Sequence, residues 1–169
     1  MKWIFERIAE IFASRGSSYT SAPTALDYDQ MIVLDAEDLA EAGVRDAYEK
    51  IKPTLSQYIG SPTDIVERID NETPSYRVSA AGQTYDIYSP EIHQDTGESW
   101  GRATVALFDI VNNQLGNSTV KFYAINGGND LGGMFLTAED VEAAKSALKQ
   151  KTDWPYLPVF EHPWYGQKH

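Results

Sequence analysis

Twenty-five Asp and Glu residues, three His and no Cys set the chemistry open to this chain. Nucleophilic catalysis needs a hydroxyl, a base and a group that orients the base, and Ser99, His93 and Asp95 supply those types on one stretch. Residues so close in sequence rarely hold triad geometry, and no G-x-S-x-G elbow is present. The hydrolase that these residues would allow uses His93 as general base, Asp95 or Glu98 to orient it, and residues 126–130 to position substrate. His93, Asp95 and Glu98 also offer nitrogen and oxygen to a metal, but they match neither H-E-x-x-H nor the calcium-loop pattern. No metal and no cofactor is therefore expected. The absence of Cys removes thiol nucleophiles, disulfides and cysteine-ligated zinc, and fits a reducing compartment.

The run Asn126-Gly127-Gly128-Asn129-Asp130 is the most informative short feature, because paired glycines allow backbone conformations and approaches that a side chain blocks. Phosphate binding is one use of such a loop. Here no Lys-Ser or Lys-Thr follows, and the loop leads into a strand rather than a helix. A hairpin turn, with Asn126, Asn129 and Asp130 satisfying local backbone groups, is the favoured reading. Gly132 and Gly133 extend the permissive stretch and suggest a bulge or the close approach of another group.

The formal charge of −11 comes from 14 Lys and Arg against 25 Asp and Glu. Residues 26–60 hold eight acids and three bases, and residues 61–98 hold eight acids and two bases, so the whole excess lies between 26 and 98. Such a surface repels phosphate backbones, and no nucleic-acid partner is expected. It either keeps the chain soluble or steers and holds a basic protein. Glu37, Asp38, Glu41, Asp46 and Glu49 are the expected contact face, acting through steering and charge-assisted hydrogen bonds.

These residues need a scaffold. Ile4, Phe5, Ile8, Ile11 and Phe12 recur at helical spacing, which predicts an amphipathic helix over 1–16. A flexible connector over 17–25 follows, and residues 26–169 form a single domain. The apolar stripe of the first helix must be covered, either by its own domain in a monomer or by a second copy in a homodimer. Residues 31–34 read as a strand. Asp35 caps a long helix over 36–58 that buries Val44, Tyr48, Ile51, Leu55 and Tyr58 and kinks or breaks at Pro53. Strands over 64–70, 76–80 and 84–88 come next, the last two joined through Ala81-Gly82. A polar loop over 89–98 leads to a core helix over 99–115. Strands over 119–125 and 132–136 bracket the glycine loop, and Thr137 with Asp140 forms the capping box of a helix over 138–149. The tail from Asp153 is too proline-rich for a helix; its aromatics Trp154, Tyr156, Phe160, Trp164 and Tyr165 either finish the core, the favoured reading, or form a recognition surface. The sum is an α+β fold: a mainly antiparallel sheet of about five strands, three packed helices and the amino-terminal amphipathic helix.

No apolar run approaches the roughly 20 residues a membrane span needs, and Glu6, Arg7 and Glu10 interrupt any secretion signal. A cytoplasmic protein with no membrane partner is expected. Three stretches resemble a group of small uncharacterised bacterial proteins: Ser99-Trp100-Gly101-Arg102-Ala103-Thr104, the run from Phe122 through Asn126-Gly127-Gly128-Asn129-Asp130 to Thr137, and Asp153-Trp154-Pro155-Tyr156. The likeness covers residues 75–158. It singles out Trp100, Arg102, Asn126, Gly127, Gly128, Asn129, Asp130 and Trp154 as motif residues. The general profile is similar to that of bacterial immunity proteins, which are small, acidic α+β proteins that bind and neutralise a toxin. That likeness implies an acidic protein-binding module that inhibits a basic protein.

Overall fold

The structure is a computed structural model and describes residues 26–92 and 96–169. The predicted amino-terminal helix, its connector, His93 and Asp95 lie outside the described residues. Within them the order is β1 (Ile32–Val33), α1 (Ala36–Glu41), α2 (Val44–Ile59), β2 (Val66–Asp70), β3 (Ser75–Ala80), β4 (Gln83–Tyr88), α3 (Thr96–Leu115), β5 (Val120–Ile125), β6 (Gly132–Thr137) and α4 (Ala138–Ala147).

Helix α3 organises the rest. From Ala103 to Val111 every residue except Asp109 is buried, and a helix apolar nearly all round must be surrounded. Helices α1 and α2, strand β4 and strand β5 pack against it. This arrangement replaces the single sheet of about five strands expected from sequence. Six strands form two antiparallel three-stranded sheets, one in the order β1-β6-β5 and the other β2-β3-β4. Each sheet leans on α3, so β4 and β5 meet the helix instead of pairing with each other. The fold class stands as α+β, with every strand pair antiparallel.

A ladder of rings ties one sheet to the helices. Phe108 of α3 stacks on Phe122 of β5 with centroids 4.6 Å apart, and Phe122 meets Phe135 of β6 at 4.7 Å. Tyr58 of α2 closes the series on Phe135 at 5.2 Å. Tyr58 is nonetheless 42% exposed, so it lies at the edge of the buried stripe rather than within it. Gly132 and Gly133 mark close approach and not a bulge, since the β5–β6 register runs unbroken. A Cβ on Gly133 would lie 2.1 Å from the Phe122 ring, and one on Gly132 would meet the Met31 side chain.

The long helix expected over 36–58 is two helices, and the break falls at Gly43 rather than Pro53. Gly43 adopts φ 110°, a conformation L side chains rarely take. The first turn of α2 is then capped from the second sheet. The Val44 N–H donates to the Tyr76 hydroxyl at 2.8 Å, that hydroxyl donates to Glu67 Oε1 at 2.5 Å, and the Arg45 N–H donates to the same carboxylate at 3.0 Å. Two amides that no helix can satisfy internally thus find partners from residues more than twenty positions away. Pro53 lies in mid-helix with α2 continuous around it. Both Pro53 and Glu49, whose carbonyl loses its donor, are exposed residues, so the missing bond falls on the solvent side of the helix.

The local signals hold elsewhere. Ala81 and Gly82 both take positive φ, 49° and 82°, as a two-residue hairpin turn requires. The Thr137–Asp140 capping box is formed in both directions. Helix α3 begins three residues earlier than its apolar spacing implies, at Thr96, and α4 ends at Ala147.

Asp109 is the one ionisable residue between Ala103 and Val111, and its partial burial pushes its carboxyl above the usual carboxylate range. The folded state therefore holds that proton more tightly than the unfolded chain does. Ionisation penalises folding once the pH rises through the unfolded value of about 3.9, and the penalty is complete above the raised folded value. Asp109→Asn is expected to raise the melting temperature at pH 7 and to leave it unchanged below pH ~2.5, where both states are protonated. A variant no more stable than the parent at pH 7 overturns this assignment.

Candidate functional site

The acidic residues chosen from sequence sit on two consecutive helices. Asp35 caps α1 by accepting from the Glu37 N–H at 2.8 Å and the Asp38 N–H at 3.3 Å, and Glu37 and Asp38 occupy a first turn whose dipole favours anions. Asp46 does the same in the first turn of α2. Two members of the face have partners. The Glu37 carboxylate accepts from Asn129 Nδ2 at 2.8 Å, and Glu49 pairs with Lys52 at 3.4 Å. Lys52 is shared with Asp64 at 2.6 Å, which pulls the Asp64 carboxyl below the usual range. Asp38, Glu41 and Asp46 are exposed and make no ion pair among the described residues.

The Asn129–Glu37 bond brings the glycine loop to the acidic face. The loop is a hairpin connection closed by a 3-10 turn at Gly128–Asp130, with backbone bonds from Asp130 to Gly127 and from Leu131 to Gly128. Its side chains do not satisfy their own backbone, as the turn reading expects. Asn129 reaches α1, while Asn126, at φ 57°, offers its carbonyl to the Tyr156 hydroxyl at 2.8 Å.

The tail packs against this loop. Tyr156 exchanges backbone hydrogen bonds with Ala124 at 2.8 and 3.0 Å, adding one residue to the β5 edge. Burial pushes its phenol up to about 12. Trp154 donates from its indole to the Leu148 carbonyl at 3.2 Å and belongs to the packing of the tail. The Tyr165 ring lies over Gly101 of α3, where a Cβ would stand 2.2 Å from it; this explains a glycine inside a helix, where it costs about 1 kcal/mol against alanine. The aromatics divide between the two readings offered by sequence. Trp154, Tyr156 and Tyr165 are half-buried, whereas Phe160 and Trp164 are 55% and 56% exposed.

Two clefts flank the loop. One, of about 550 Å³, is bounded by Met31, Val33, Asn126, Asn129, Asp130, Leu131 and Asp153. Its neighbour, of about 390 Å³, is lined by Trp100, Gly101, Thr104, Tyr156, Trp164 and Tyr165, and the two share Gly127, Leu131 and Gln167. The three stretches that carry the resemblance therefore converge in space. Arg102 lies apart from both clefts, paired with Glu98 at 3.7 Å, with its Nε buried and without a hydrogen bond among the described residues. Met31, Val33 and Asp153 join the site through tertiary contact; only Asp153 stood in a stretch that sequence had marked.

Among the described residues no three His, Asp or Glu side chains gather as metal ligands, and no helix is long and apolar enough to cross a membrane. No family model, curated protein or solved structure matches the chain.

Proposed function

We propose that this chain is an acidic protein-binding module, immunity-like in kind, that binds and neutralises a basic protein through α1 and the start of α2. The observation that supports this reading is the placement of Asp38, Glu41 and Asp46 in solvent on consecutive helices, with no ion pair among the described residues. Carboxylates left this way repel one another, and a partner's Lys or Arg relieves the repulsion while steering association. Glu41 stands to gain most. It is the last residue of α1, where the carbonyl end of the helix disfavours negative charge, whereas Asp38 and Asp46 occupy first turns that favour it. The same reading takes the chain as kin to the small bacterial proteins that residues 75–158 resemble, and as cytoplasmic.

The test is capture of partners from a bacterial lysate by the tagged full chain, with bound proteins identified by mass spectrometry at low and high salt. A basic protein is expected to be retained at low salt and released at high salt, as screening of a charge interface requires. Glu41→Lys with Asp46→Lys is expected to lower its retention roughly tenfold. Retention indifferent to both salt and charge reversal, or no basic partner at all, ends the proposal.

A further inference from the structure

We propose that the 550 Å³ cleft beside α1 receives a single basic side chain of the partner, and this inference rests on the protein-binding reading above. The cleft has the two parts such a side chain needs. Met31 and Val33 supply apolar surface, Met31 half-buried and Val33 left 70% exposed, beside the buried Leu131. The four-carbon stem of a lysine covers surface of this kind while its charged head stays at the rim. Asp130, exposed, and Asp153, half-buried, also line the cleft; neither makes an ion pair among the described residues, and the Asp153 carboxylate accepts from the Thr152 hydroxyl at 3.3 Å.

No Lys or Arg lines the cleft, so an anionic group finds no counter-charge there. Two carboxylates alone are too few for a dedicated cation cage, which takes six or more oxygens for calcium. An alkylammonium or guanidinium on an apolar stem matches both the apolar and the acidic side chains of the lining. The location agrees with the same partner. Asn129, on the cleft wall, holds Glu37 of α1, so the cleft opens next to the acidic helices and extends the charge they present. Backbone turns at Gly128–Asp130 and Lys151–Asp153 bring the two residues to the cleft from different connections, one between β5 and β6 and one after α4.

The probe is Nα-acetyl-lysine methylamide, titrated at millimolar concentrations into the ¹⁵N-labelled full chain and followed by NMR, with Nα-acetyl-norleucine methylamide as the uncharged control. Saturable shifts are expected at the amides of Gly127, Asn129, Asp130 and Thr152 with the lysine compound and not with the norleucine one. The Asp130→Asn, Asp153→Asn double variant is expected to weaken the apparent Kd roughly fivefold or more, with unchanged shifts elsewhere attesting its fold. Equal shifts from norleucine, shifts centred instead on α1 and α2, an undiminished affinity in the double variant, or no shift at all overturns the assignment. Failure here alongside salt-sensitive capture that still depends on Glu41 and Asp46 removes only the cleft. Binding of the lysine probe with no basic partner captured removes the protein-binding reading and leaves the cleft as a cation site.

Discussion

Replacing Gly133 with alanine is expected to destabilise the fold by about 2–4 kcal/mol and to lower the melting temperature by roughly 5–15 °C, the scale set by overpacking a core in a chain of this size. The added methyl would stand 2.1 Å from the Phe122 ring, which is fully buried. Phe122 has nowhere to retreat. It is held between Phe108 and Phe135 at 4.6 and 4.7 Å, so moving it breaks both ring contacts, each worth about 0.5–1.5 kcal/mol beyond burial. Thermal unfolding of Gly133→Ala, Phe122→Leu and the double variant isolates the cause. The smaller Leu makes room for the methyl, so the double variant should lose at least ~1 kcal/mol less than the sum of the single losses. Strict additivity would show that Gly133 is needed for some other reason.

Tyr76→Phe is expected to lose about 2–4 kcal/mol, since it strands two groups at once. The Val44 N–H loses the one acceptor it has among the described residues, at a helix start that carries no side-chain cap of its own, and Glu67 loses its shortest donor. Burial and the bond to Glu67 both push the Tyr76 phenol well above its usual range, so the hydroxyl keeps its proton and its donor role at any pH the fold tolerates. Glu67→Gln retains an oxygen for both donors and should cost less. Denaturant unfolding followed by circular dichroism gives the two losses, and hydrogen exchange at Val44 and Arg45 reports the cap directly. A Tyr76→Phe variant within ~0.5 kcal/mol of the parent would refute the cap, because such a change is ordinary for a surface site.

How much of the fold is legible in the sequence varies with the range of the interaction involved. The helices around 99–115 and 138–147, the capping box of Thr137 and Asp140, and the Ala81-Gly82 turn are all readable, since each is decided by residues within a few positions of one another. The break of the first long helix is misplaced by sequence for the converse reason. Pro53 carries the stronger local signal, but solvent tolerates its missing bond, while Gly43 breaks the helix because Tyr76 and Glu67 arrive from the other sheet to cap the first turn of α2. Strand identities are legible and strand partners are not. Nothing near Ile32 announces that it faces Gly133 across a ladder, and nothing near β4 says that it will lean on α3 instead of joining β5.

The candidate site follows the same division. The acids of α1 and α2 and the glycine loop are visible as residue types, and their local geometry follows from capping and turn chemistry. Sequence by itself determined the α+β class, the placement of the excess negative charge between residues 26 and 98, and the lack of cysteine chemistry, because composition, periodicity and caps are properties of neighbours along the chain. Only the tertiary structure decided that Asn129 grips Glu37, that Tyr165 rests on Gly101, and that Asp130 and Asp153 line one cleft. Those pairs are separated by 92, 64 and 23 positions, and at such distances the partner is chosen by which buried faces must close around α3, a global condition that no local pattern encodes.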